Sequence, residues 1–274
     1  MRAALCIAVL AALALAAPSS ASATRQTASS GAVTATMSYT KRGAFKYTGL
    51  RLAVVRAGQR VYDAPLTGPA CGAPYCAPAG RGEGSALRVV DLDGDGEPEV
   101  IADVDTMGAH CCVISEVLRW DGSSGYRRVE HDWADPGYTL TTPAPPAVPE
   151  FVTADARFAY AFAPFGFSGM PVRVLRFTGG AFRDATREHP DTIAADARRW
   201  RREYMRYRRG KLSLGYLAAW VADEDLLGKG ADAAAFVRAE LHAGRLRSDQ
   251  GWPQRSAFIR ALERRLKAWG YAAG

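Results

Sequence analysis

The 274-residue sequence predicts an α+β protein, with an all-β region at 34–190 followed by a helical domain at 191–274. Three observations carry this expectation. Up to Pro190 the apolar residues fall in short β-branched runs separated by Gly, Pro and Asp turns, which is how antiparallel strands read. Beyond Pro190 they recur every three or four residues, the spacing of one helix face. Between two strand-like runs, Leu87–Val90 and Val100–Val104, sits an acidic Gly-rich loop at 91–99, Asp-Leu-Asp-Gly-Asp-Gly-Glu-Pro-Glu.

In chain order, Arg2 and an Ala/Leu-rich run to Ala17, followed by Ala21-Ser22-Ala23, read as a secretory signal over 1–23 with cleavage after Ala23. No later stretch is apolar enough to span a bilayer, so a secreted, extracellular product without a transmembrane segment is expected. Residues 24–33 are rich in Ser, Ala and Thr and read as a flexible lead-in. Strands are expected at Ala35–Tyr39, Gly49–Val55 and Arg60–Tyr62, the last two joined by a turn at Ala57-Gly58. Further strands are expected at Val113–Trp120 and Tyr126–Val129, joined through Asp121-Gly122.

Export changes how the cysteines read. With Cys6 inside the signal, Cys71, Cys76, Cys111 and Cys112 remain, an even set in an oxidising compartment, which favours disulfides. A bridge between the neighbours Cys111 and Cys112 is strained, so the two crossed pairings, which tie the 71–76 loop to the segment after the acidic loop, are favoured. The alternative is a zinc site from His110, Cys111 and Cys112, although adjacent ligands fit one tetrahedron badly.

The acidic loop has the donors a hard cation needs. Asp91, Asp93 and Asp95 supply side-chain oxygens, Gly94 and Gly96 allow positive φ, the Glu97 carbonyl points inward and Glu99 closes the shell; calcium is the natural ion. An EF-hand is excluded, because its closing Glu stands at the twelfth loop position, here Ala102, and its flanks are helical. The strand, loop, strand unit resembles the calcium loop of FG-GAP or VCBS repeats, the blades of integrin-type β-propellers. Glu99 departs from the Asp usual in that family, a difference the longer carboxylate can span.

A second unit echoes the first. Pro98-Glu-Val-Ile-Ala102 recurs as Pro149-Glu-Phe-Val-Thr153, and Trp120-Asp-Gly122 as Phe177-Thr-Gly179, which implies two blade-like units. The second has Thr141–Val148 in place of the acidic loop, without a carboxylate. The run Asp91–Cys112, with Tyr160-Ala-Phe162 and Phe182–Thr186, is similar to a group of secreted actinobacterial proteins carrying FG-GAP or VCBS-like segments. The resemblance spans about residues 85–210 and implies export, a calcium loop and a partial β-propeller-like region, with no established activity.

Four helices follow. Ile193, Ala197, Trp200, Tyr204 and Tyr207 define one face of the first, capped by Asp191 or Thr192. Leu214, Leu217 and Val221 mark the second, ending near Gly228, and Asp232–Leu241 the third, ended by Gly244. Phe258, Leu262, Leu266 and Trp269 mark the fourth, stopped by Gly270.

Charge is concentrated in this domain. From Asp191 onward 17 Lys and Arg face 10 Asp and Glu, a net of +7 that equals the charge of the whole chain. Arg198, Arg201, Arg202, Arg208 and Arg209 flank the apolar stripe and form a face able to contact a polyanion. An anionic cell-envelope polymer, or another envelope protein, is the expected partner. No zinc-finger, RNA-binding or helix-turn-helix pattern points to a specific nucleic acid.

Enzyme motifs are missing: there is no Gly-x-Ser-x-Gly, His-Glu-x-x-His, phosphate loop or dinucleotide fingerprint. The sequence therefore reads as a non-enzymatic binding module. The alternative is a calcium-stabilised envelope hydrolase, acting on polysaccharide or phosphate esters, using His131 with Asp132 or Asp135.

Overall fold

The computed structural model describes residues 22–43, 45–66, 76–79, 85–123, 125–141, 147–249 and 251–271. Of the signal expected over 1–23, residues 1–21 lie outside them, as does Cys71, whereas Ser22 and Ala23 begin the first strand. Alternation of apolar and polar side chains builds three antiparallel sheets. The first orders β1 (Ser22–Ser30), β2 (Val33–Lys41), β3 (Tyr47–Arg56) and β4 (Gln59–Pro65) as a simple meander. The second runs through β6 (Leu87–Val90), β7 (Glu99–Gly108), β8 (Cys111–Trp120) and β9 (Tyr126–Ala134), with the short β5 (Ala77–Pro78) beside β6 on the same edge of β7. The third comprises β10 (Thr139–Leu140), β11 (Glu150–Ala154), β12 (Val172–Thr178) and β13 (Ala181–Asp184).

The period-two pattern of β7 and β8 explains how these sheets pack. Val100, Ala102, Val104, Ile114 and Leu118 face the first sheet, meeting Val33, Ala35, Met37, Leu52 and Val54 in one core. The intervening Ile101, Val113 and Val117 face the other way, onto Phe151, Leu175 and Phe177 of the third sheet. A sheet buried on both sides needs apolar residues at consecutive positions, and β7 and β8 are accordingly buried along most of their length. The two blade-like units thus become the second and third of three stacked meanders. Among the described residues the sheets do not close, and a propeller is not shown.

Helices α1 (Pro190–Tyr207), α2 (Leu214–Leu226), α3 (Gly230–His242) and α4 (Arg255–Trp269) complete the chain. Their core is shared with the β region. The segment between β11 and β12, with short 3-10 turns at Ala156–Phe158 and Phe165–Phe167, sends Phe158 and Phe162 in among the helices. Phe162 meets Phe258 edge-on at 5.6 Å between centroids, and Phe158 lies 4.8 Å from Trp269. Gly215 of α2 is packed so closely that a methyl group there would overlap the Phe167 carbonyl oxygen.

Several expectations change. Residues 24–33 form most of β1 and its turn, not a flexible lead-in: Ser, Ala and Thr alternate in register with β2 from Ser22↔Lys41 to Ser30↔Val33. Helix α1 begins at Pro190, whose fixed φ suits the first helical position and whose missing N–H costs nothing there, so Asp191 and Thr192 lie inside the helix. Tyr207 is 41% exposed and stands outside the core that Ile193, Ala197, Trp200 and Tyr204 enter. The crossed cysteine pairings are not seen for Cys111 and Cys112. At the β7–β8 turn, where Gly108 pairs with Cys111, their two sulfurs meet each other in a close contact that is not a normal disulfide. Cys76 is disulfide-bonded.

Candidate metal centre

The acidic loop connects β6 to β7, so both ends are fixed by the ladder that pairs Val90 with Glu99. Within it the chain must turn sharply, and Gly94 (φ +77°) and Gly96 (φ +88°) take the left-handed conformations that make this possible. Asp91 holds the turn from inside: its Oδ1 accepts the Gly94 N–H at 2.8 Å and its Oδ2 the Gly96 N–H at 2.9 Å. Glu99 Oε2 accepts the Leu92 N–H at 2.8 Å, and Asp95 Oδ1 the Glu97 N–H at 2.9 Å.

The fold brings Asp91, Asp93 and Glu99 together, with one carboxylate oxygen of each lying within 4.8 Å of the others. Their burial makes the cluster unlike an exposed acidic turn. The Asp93 side chain is 7% exposed and that of Glu99 is 1% exposed. Asp93 Oδ1 is buried without a hydrogen-bond partner, a costly state for a carboxylate oxygen. Burial, reinforced by Asp93, Asp95 and Asp91 against a lowering hydrogen bond from Leu92, raises the Glu99 carboxyl to about 7. An oxygen-only donor set of this kind fits a hard divalent cation.

The other two predicted ligands are placed differently. Asp95 is half-exposed and its Oδ2 lies 2.9 Å from Arg119 Nη2. Glu97 directs its carboxylate out to Arg56, in a two-pronged contact at 2.9 and 2.7 Å. A metal ion at this centre would be held by Asp91, Asp93 and Glu99.

Two arginines here escape a sequence reading. Arg119, at the end of β8, lies 3.3 Å from Asp93 Oδ2 and 3.7 Å from Glu99 Oε1 while also reaching Asp95. Arg56, at the end of β3, grips Glu97 and lies 4.8 Å from the Trp120 ring. Together with Val148, which approaches Gly94 from ahead of β11, they bring all three sheets to bear on one loop.

The remaining candidates are scattered. His131 packs its ring 4.1 Å from Trp133 and 4.4 Å from Phe182, and burial, then Arg173, lowers its pKa. Asp132 Oδ1 accepts the Ala134 N–H at 2.8 Å. His110 stacks on Phe165 at 4.0 Å. On the helices Arg198, Arg201 and Arg202 line one recess, whereas Arg208 turns to the buried Glu240 at 3.7 Å. Arg209 is exposed and does not line that recess.

No family model and no solved structure matches the chain. Over 160 residues it is 29% identical to the uncharacterized protein y4bJ of Sinorhizobium fredii, an alignment covering 52% of this chain and 23% of that longer protein.

Proposed function

We propose that the protein is an exported, non-enzymatic binding module of the extracellular space or cell envelope, of the FG-GAP or VCBS-like kind, in which calcium fixes the loop at 91–99. The observation that supports it most is the buried, unpartnered Asp93 Oδ1 beside Asp91 and Glu99. Folding has taken a charged oxygen from water without giving it a donor, and a divalent cation supplies what is missing. Calcium is structural in this reading. It joins β6 to β7 at the end of the stack where Arg56 and Val148 also converge, and so stiffens the surface formed by neighbouring turns.

A ligand that binds the folded state alone stabilises it by mass action, by about 2.7 kcal/mol at a hundredfold excess over its dissociation constant. The test is a thermal melt of the secreted, oxidised protein in calcium and in chelator. The wild type should melt several degrees higher in calcium, and Asp93→Ala should lose that dependence. Identical melting of the wild type under both conditions would return the loop to an ordinary acidic turn.

A further inference from the structure

Arg198, Arg201 and Arg202 stand three and four positions apart, so they share one face of α1. Below them is a recess of about 430 Å³, floored by the buried Trp220 of α2 and bordered by Lys229, just ahead of α3. Among the described residues none of these four cations forms an ion pair. Their neighbours do: Arg199 with Asp196, Arg206 with Glu203, Arg208 with Glu240 and Lys211 with Asp249. Glu224, the one acid lining the recess, accepts the Trp220 indole N–H at 2.8 Å.

Arg201 is already in position. Its guanidinium lies 4.4 Å from the Trp220 ring centroid and 3.7 Å from that of Phe236. Those ring contacts restrict its rotamers before any ligand arrives, so less ordering is left to oppose binding. Partial burial disfavours its charge, and Glu240 and Glu224 offset this only in part, without an ion pair to either.

From this geometry we infer that the recess seats a phosphate ester group of an anionic polymer. Three guanidinium-bearing residues and one ammonium-bearing residue line the same recess, and donors coming from several directions suit the tetrahedrally disposed oxygens of a phosphodiester better than the coplanar pair of a carboxylate. This deepens the binding-module reading and rests on it only in taking the ligand to be a polymer. No residue of the acidic loop takes part.

The test titrates the full chain with poly(glycerol phosphate), with polyglutamate, and with vesicles containing phosphatidylglycerol, each in calcium and in chelator. Poly(glycerol phosphate) should bind, and Arg198→Gln/Arg202→Gln should weaken it about tenfold or more. The slope of log affinity against log salt should become shallower by about one to two. Arg201→Met, which keeps the ring packing, should weaken it as well. The control Arg238→Gln/Arg260→Gln removes the same charge from other exposed positions and should stay within about twofold. Equal loss in both double variants would reduce the site to diffuse attraction and overturn the proposal. Equal affinity for polyglutamate, or binding to the vesicles alone, would overturn it too. Binding that persists in chelator, in a protein whose melting ignores calcium, would sink the calcium reading and leave this one standing.

Discussion

Arg119 is a competitor built into the acidic loop. Its guanidinium touches Asp95 at 2.9 Å and stands within 4 Å of Asp93 and Glu99, so it offsets part of the charge that a metal would neutralise. Calcium entering the cluster must share those oxygens with Arg119 or displace it. Replacing it by Met should therefore tighten calcium binding, by about tenfold if the displaced interaction is worth about 1–2 kcal/mol. The same variant should be less stable than the wild type in chelator, where three clustered carboxylates lose their only cation among the described residues. Calorimetric titration and paired melts read both effects. The ligand carboxylates were legible because they lie within nine residues of chain, each with a spacing that means something by itself. Arg119 and Arg56 were not, because a partner brought in by tertiary packing leaves no local mark: Arg56 and Glu97 are 41 positions apart.

At the scale of elements, α1, α3 and α4 were readable because each buries one face of a 3.6-residue period, whereas α2, buried without a break from Leu217 to Asp223, was marked by its unbroken apolar run and the Gly that follows it. Strand β1 was hidden by its composition, since Ser, Ala and Thr resemble a linker until a partner strand sets the alternation. The segment between β11 and β12 was hidden for another reason. Its Phe158 and Phe162 sit in 3-10 turns and loops, which repeat too briefly to show a period, yet they enter the helical core. The tight approach of α2 to this segment gives a sharp test. Gly215→Ala introduces a methyl group where the Phe167 carbonyl oxygen already lies, and should cost about 1–3 kcal/mol by denaturant unfolding.

Across the whole molecule, pH acts through a buried acid pair joining the helices to the third sheet. Asp196 of α1 accepts the Val172 N–H of β12 and the Trp200 indole N–H, both at 2.8 Å. No hydrogen-bond donor reaches either oxygen of Asp223 on α2, and the Asp196 carboxylate nearby disfavours its charge further. Burial first, then Asp196 and Glu224, raise the Asp223 carboxyl from 3.8 to about 9. The sign follows from its being raised. Below 3.8 the group is neutral in both folded and unfolded chains and its contribution to stability is complete. Between there and about 9 only the unfolded chain ionises, and the contribution is lost as pH rises. For this single proton the decline is at most about 1.4 kcal/mol per pH unit. Asp223→Asn should flatten the fall of melting temperature between about pH 5 and pH 9. An unchanged profile would mean that the proton is not held there. In the sequence the run Asp223-Glu224-Asp225 reads as a helix end, because burial of one member of an acidic triplet depends on what packs across from it.

Because Phe158 and Phe162 belong by position to the β region and by packing to the helices, the boundary near Pro190 is one of chain and not of folding. The helical core is incomplete without Phe158 and Phe162, and a chain cut at Pro190 leaves both rings without the helices that cover them. Calorimetry should accordingly show one cooperative unfolding transition, and a fragment ending at Pro190 should bind hydrophobic dyes and aggregate.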